Sequence, residues 1–217
     1  MPTISKISVQ KRSAERYNVY LDGKYSFPVS EKVLYSHELK VGLELTQEKI
    51  DSIIKDEGYE KIYFKILNFL SYRVRSEHEV VTRMRDYFYK GGIEKDLGQV
   101  FEEKILKTLR DLDLINDEKF VEQYIENANL LKSPPGRQKI REFLMKKGVS
   151  RDIIDDGLGK YTLETERLGA EKALNKKLRS MKDTLDYKAK QKIYQFLLRK
   201  GYSSDVVSAV VDSKFEV

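Results

Sequence analysis

Side chains able to do covalent or metal chemistry are few in this sequence and poorly spaced for it. His37 and His78 stand apart, outside the His-Glu-x-x-His spacing that would set two imidazoles on one helix face around a metal. Asp155 and Asp156 are adjacent, so on a helix they diverge by about 100° and make a poor cation clamp. Gly157-Leu-Gly159 lacks the third glycine and the preceding strand of a dinucleotide loop, and no Gly-Lys-Ser/Thr phosphate cradle occurs. The chain has no cysteine, hence no thiol nucleophile, no disulfide frame and no cysteine-built zinc site. The expectation is a protein that is not an enzyme and uses no cofactor and no metal.

Positive charge is the chemistry the chain does hold. Its formal net charge is +6, and the placement is uneven. Between Ala170 and Lys200, ten cations (Lys172, Lys176, Lys177, Arg179, Lys182, Lys188, Lys190, Lys192, Arg199 and Lys200) stand against Glu171, Asp183 and Asp186, a net +7 that leaves the remainder near −1. Such a stripe attracts phosphates through counterion release, and its binding weakens steeply with salt. A second group, Arg73, Arg75, Arg83 and Arg85, is interleaved with Tyr72, Tyr87 and Tyr89, a mixture of forks and aromatic faces suited to a single-stranded backbone with partly exposed bases. A plainer role is open to the same residues. Lysines solvate outer helix faces, Glu77 and Glu79 can pair with the arginines, and tyrosines at helical spacing pack with a wet hydroxyl. Charge and expected exposure select Arg73, Arg75, Arg83, Arg85, Lys139, Arg141, Lys146, Lys190, Lys192, Arg199 and Lys200 as candidate contacts to nucleic acid.

These cations must be carried by helices, because the stretch from 136 to 154 returns without a gap as 189 to 207, at an offset of 53. Self-similarity at a fixed period marks tandem helical units. In the first copy Ile140, Phe143 and Leu144 share one side of a 3.6-residue wheel, while Lys139, Arg141 and Lys146 point elsewhere. Gly148 and Gly201 fall where a helix end needs a left-handed residue. Ser150 and Ser203 can then cap the next helix, with Asp152 or Asp205 in its first turn. A more diverged unit precedes them. Ile62, Ile66, Phe69 and Leu70 form one stripe and Val80, Val81 and Met84 another, stopping at Gly91-Gly92. A further helix carries Val100, Ile105, Leu106 and Leu109. Asp117 can cap a helix through Phe120, Val121, Tyr124 and Ile125, which Ser133-Pro-Pro-Gly136 closes.

The N-terminal segment alternates instead. Tyr17, Val19 and Leu21, then Asp22-Gly23, then Tyr25, Phe27 and Val29 predict a hairpin with a type I′ turn; Ile4, Ile7 and Val9 can add a strand. A lone hairpin is marginal in water, so it must pack on something, most simply a helix through Ile50, Ile53 and Ile54. The expected fold is mostly α, with three tandem three-helix bundles behind a small hairpin-containing domain. Its divisions are 1–57, 58–116, 117–160 and 161–217, with a joint near Lys55 to Gly58. No apolar run is long enough to cross a bilayer and no secretory start is evident, so a soluble cytoplasmic protein is expected.

Several of these segments together resemble the RecX regulatory family. They are Leu70-Ser-Tyr-Arg-Val-Arg-Ser76 with Glu79, Leu112-Asp-Leu-Ile-Asn-Asp-Glu-Lys-Phe120, Gly136-Arg-Gln-Lys-Ile140 with Leu144 and Lys147-Gly148, and Tyr194-x-Phe-Leu-x-Arg-Lys-Gly-Tyr202 with Asp205. The hairpin with Asp22-Gly23 resembles that family's extended form. The resemblance implies an elongated, curved set of three three-helix units, with no covalent chemistry of its own. It also implies a monomer that lies in the groove of the RecA recombinase filament on single-stranded DNA and inhibits ATP hydrolysis, strand exchange and co-protease activity. The eleven candidate cations would then face filament or DNA. The sequence departs from the family pattern in a longer segment from Phe88 to Gln99 and in Ser133-Pro-Pro-Gly136, which alters a hinge between units. A general nucleic-acid-binding helical repeat protein without a recombinase partner, and a scaffold whose stripe meets an acidic protein surface, stand as alternatives.

Overall fold

The computed structural model describes residues 1–10, 13–181 and 187–215. Three antiparallel strands, β1 (Ile4–Gln10), β2 (Ser13–Leu21) and β3 (Lys24–Ser30), lead into α1 (Glu31–Ser36) and α2 (Gln47–Ser71). Next come α3 (Glu77–Gly91), α4 (Lys95–Asp111), α5 (Asp117–Asn129), α6 (Arg137–Lys146) and α7 (Arg151–Gly159). The last are α8 (Leu163–Ser180), α9 (Tyr187–Arg199) and α10 (Ser204–Phe215). The chain divides into two units, one of Met1–Arg73 with Thr82–Thr108 and one of Val74–Val81 with Leu109–Val217. Among the described residues no helix is long and apolar enough to cross a membrane.

In the first unit the hairpin forms as its turn residues dictate. Asp22 and Gly23 take φ of 48° and 82°, the two positive values of a type I′ turn, and Leu21 pairs with Lys24. The alternation buries Val19, Phe27 and Val29 with Ile4, against Val33 of α1 and Ile50 and Ile53 of α2. Thr46 caps α2 by accepting from the Lys49 N–H at 3.2 Å. The joint expected near Lys55 to Gly58 is absent, because α2 runs unbroken for 25 residues through it. Two contacts are made from that turn. Buried Glu57 accepts from the Ser30 N–H at 2.6 Å and from the Arg16 guanidinium, fastening the sheet to mid-helix. Gly58, whose helical cost is about 1 kcal/mol, packs beside the Phe101 ring, which a methyl there would meet at an ordinary 3.6 Å and which also meets Tyr59 edge to face at 5.6 Å.

The second unit holds both copies of the repeat, each with its own core. Phe120, Val121, Ile125, Ile140, Leu144, Ile154 and Leu158 close α5, α6 and α7. Leu174, Ile193, Leu197, Val207, Val210 and Val211 close α8, α9 and α10. Burying one such side chain is worth about 1.5–3 kcal/mol and an exposed ion pair about 0–1, so the cores and not the abundant surface charges hold this unit together.

Gly148 and Gly201 end α6 and α9 with φ of 77° and 85°. Val149 N–H bonds Leu144 O at 3.2 Å and Tyr202 N–H bonds Leu197 O at 3.3 Å, the long closure of a Schellman turn in both copies. Ser150 caps α7 as expected, accepting from Ile153 N–H at 3.5 Å.

Two expected caps are reassigned. Ser203 sits in the matching place, yet its hydroxyl donates to Glu166 at 3.2 Å. The cap of α5 is Asn116, which accepts from Lys119 N–H at 3.0 Å, while Asp117 accepts from the Glu77 N–H at the start of α3, at 2.9 Å.

Candidate nucleic-acid interface

Helical spacing divides α8 and α9 into a core face and a basic face. On α8, Ala170 and Leu174 are buried while Lys172 and Lys176 project from the other side and the half-buried Lys177 borders the core face; on α9, Ala189, Ile193 and Leu197 are buried while Lys188, Lys192 and Arg199 project. The projecting side chains line two adjoining grooves. One, of about 730 Å³, is bordered by Lys139, Lys172, Lys176, Lys177 and Lys200 together with Pro134, Pro135, Phe196 and Tyr202. The other, of about 660 Å³, is bordered by Lys177, Lys188, Lys192 and Arg199 with Gln191, Gln195 and Phe196. Lys177, Ser180 and Phe196 belong to both. Among the described residues no carboxylate lines either groove.

At the shared edge, the ammonium groups of Lys177 and Lys200 stand 5.5 and 5.7 Å from the centre of the half-buried Phe196 ring. A ring flanked by two cations offers a stacking surface beside phosphate-binding charge, the pairing that single-stranded nucleic acid uses. Lys182, Asp183 and Asp186 of the basic stripe lie outside the described residues.

The wall of the larger groove is rigidly tied. Tyr202 donates its hydroxyl to Pro134 O at 3.0 Å and Tyr161 donates to Pro135 O at 2.6 Å, so Ser133-Pro-Pro-Gly136, expected as a hinge, is clamped on both carbonyls. Behind it Glu166, fully buried, accepts from Arg137 N–H at 3.1 Å and Ser203 N–H at 2.8 Å, which joins the start of α6 to the start of α10.

Burial, and secondarily the Glu166 carboxylate, pushes the Tyr202 phenol up to about 12, and burial raises that of Tyr161 as well. A phenol raised in the folded state contributes stability that is complete below about pH 10 and is lost as pH climbs through the folded value. Urea midpoints followed by circular dichroism are therefore expected to fall between pH 10 and about 12. Tyr202→Phe should flatten that fall, at a constant cost of about 1 kcal/mol for the lost hydrogen bond. An unchanged alkaline slope in the variant would remove Tyr202 from the clamp.

The structure sorts the sequence-selected cations. Lys139 and Lys200, 61 residues apart in sequence, meet at the larger groove, and Lys192 and Arg199 line the smaller one. Lys190 pairs with Asp212 of α10 at 2.9 Å and lines neither groove. Arg141 pairs with Asp155, and Lys146 is exposed at the end of α6. Arg75 is half-buried ahead of α3.

In the first unit Arg73 is exposed beyond α2, Arg85 grips Glu102 through two bonds of 2.9 Å, and Arg83 lies 4.9 Å over Phe69 and 3.6 Å from Asp86. Of the carboxylates near these arginines, Glu77 also holds Arg110 and Glu79 also holds Lys147. Lys172, Lys176, Lys177 and Lys188 of the basic stripe, outside the candidate contacts, also line the grooves. Spacing carries the signal on α8, since 172 and 176 share a helix face opposite the core positions 170 and 174, while 177, three residues beyond 174, borders the core side.

Residues 2–46 match the family described as the regulatory protein RecX N-terminal domain, and residues 169–211 match the RecX third three-helix domain. The regulatory protein RecX of Limosilactobacillus reuteri (strain DSM 20016) is 37% identical over 213 residues, spanning 98% of this chain and 76% of that protein. That of Listeria welshimeri serovar 6b is 36% identical over 206 residues, spanning 95% and 73%. A crystal structure of regulatory protein RecX is similar with a TM-score of 0.77 at 35% identity, covering 98% of this chain and 100% of that one. The crystal structure of RecX from Lactobacillus salivarius gives a TM-score of 0.61 at 29% identity over 74% of this chain and 98% of its own.

Proposed function

The chain belongs to the RecX family of regulatory proteins, and from that membership we propose that it binds the RecA filament on single-stranded DNA and restrains it. It does so as a cytoplasmic monomer lying in the filament groove, lowering ATP hydrolysis, strand exchange and co-protease activity without covalent chemistry of its own. A regulator of this kind shifts an equilibrium only by binding one state of its target better than another. The observation that carries the reading is the pair of adjoining basic grooves on α8 and α9, free of lining carboxylates among the described residues and sharing Phe196. They suit a polyanion that presents both phosphates and ring faces.

The test is DNA-dependent ATP hydrolysis by RecA, titrated with this protein well below the RecA concentration, beside its binding to bare single-stranded DNA at the same salt. Inhibition is expected before bare DNA is saturated. Inhibition that begins only once the protein coats the DNA would replace this reading with that of a general nucleic-acid binder.

A further inference from the structure

Each glycine turn of the second unit receives the N-terminus of another helix of that unit, and the two joints differ in charge. At the Gly148 turn, Ser76 Oγ donates to Lys147 O at 2.7 Å. There the Glu79 carboxylate holds the Lys147 ammonium at 2.8 Å, and a methyl on Gly148 would stand 2.4 Å from His78 Cβ. At the Gly201 turn, Gln138 N–H donates to Gly201 O at 2.9 Å, and a methyl on Gly201 would stand 2.7 Å from Lys139 Cγ. Both joints therefore seat a helix start on a glycine.

Among the described residues only the first pairs the lysine before its glycine with the third residue of the incoming helix; the second has instead the buried Glu166, 3.6 Å from the Arg137 guanidinium. The third residue of α3 is Glu79 and the third of α6 is Lys139. Lys200 stands 53 residues after Lys147, at the same place in the repeat. Two lysines thus replace a lysine and a glutamate. Lys139 is held by Glu142 at 2.7 Å on its own helix, Lys172 donates to Lys132 O, and among the described residues no carboxylate lines the groove that Lys139 and Lys200 share. Like charges at a close joint weaken it unless an anion lies between them.

We propose that the ligand supplies this missing charge. A phosphodiester of single-stranded nucleic acid, seated between Lys139 and Lys200, does for the Gly201 joint what Glu79 does for the Gly148 joint, so that binding and tightening of the joint are one event. The inference rests on the reading of the groove as a nucleic-acid site. A ligand that favours the closed joint must, by linkage, be held more tightly by it and suppress its local opening.

The test uses the full chain with oligothymidylate. NMR hydrogen exchange is followed at the Gln138 amide, with the Glu77 amide, next to Ser76 of the first joint and bonded to Asp117, as reference, and affinity is followed by anisotropy. Saturation is expected to slow exchange at Gln138 by about tenfold or more while leaving Glu77 unchanged. Lys139→Glu should slow Gln138 without DNA, by restoring the charge pattern of the first joint. In that variant DNA should bind more weakly and add no protection. Bound oligonucleotide with no slowing at Gln138, or with equal slowing at both amides, overturns the joint mechanism and leaves the groove reading standing. No binding at all overturns both.

Discussion

Replacing Lys172, Lys176, Lys177 and Lys200 together by glutamine is expected to weaken binding of single-stranded DNA by several hundredfold at 0.1 M salt and to abolish filament inhibition at substoichiometric concentration. All four line one groove, which among the described residues has no lining carboxylate, so each is placed to replace a condensed counterion. On single strands each phosphate contact contributes about 0.7 to the slope of log K against log salt, so four contacts account for a slope near 3 and, relative to 1 M salt, roughly 600-fold at 0.1 M.

Measuring affinity across a salt series separates this mechanism from misfolding. The variant should converge with the parent protein at high salt, with a shallower slope and unchanged helicity. Lys190→Gln should change little, because that ammonium is engaged by Asp212 away from both grooves. An unaltered slope in the quadruple variant would dismiss the groove as the binding surface.

Gly136→Ala is expected to lower the unfolding free energy by about 3 kcal/mol, a large fraction of the 5–15 kcal/mol of an ordinary domain. The backbone at Gly136 is not the reason. Its φ of −66° and ψ of 147° suit alanine well. The reason is proximity, since a methyl there would stand 2.1 Å from the Gly201 carbonyl carbon and 2.3 Å from the Tyr202 nitrogen, both main-chain atoms that no rotamer change can move.

Gly159→Ala supplies the comparison. Gly159 ends α7 with nothing within 4 Å of the added methyl, so the same change should be neutral or stabilise by up to about 1 kcal/mol. Urea denaturation of both variants checks the pair. A Gly136→Ala midpoint equal to that of Gly159→Ala would mean that the two turns do not press together in solution.

Features that depend on neighbouring residues alone were legible before any contact was known. Asp22-Gly23 dictates a type I′ hairpin because both positions must take positive φ. Gly148 and Gly201 end their helices for the same reason, and the 53-residue echo announces two copies of one helical unit before any contact is known. The basic face of α8 was equally legible, since charge at 172 and 176 opposite apolar 170 and 174 is a property of the helix period alone.

Tertiary structure decided which of two equal local options each polar group takes. Ser150 and Ser203 look alike in sequence, yet only Ser203 has Glu166 within reach and gives its hydroxyl away. Asp117 and Asn116 could each cap α5; the Glu77 N–H, 40 residues distant, claims the aspartate. Lys190 and Lys192 are equally basic, but Lys190 pairs with Asp212, while Lys192 lines the smaller groove. The Pro134 and Pro135 carbonyls are clamped by Tyr202 and Tyr161, which no local pattern foretells. Backbone dihedrals and helix periods are set by interactions across a few residues. The groove is set by the meeting of Gly136 with Gly201, a contact across 65 residues of chain.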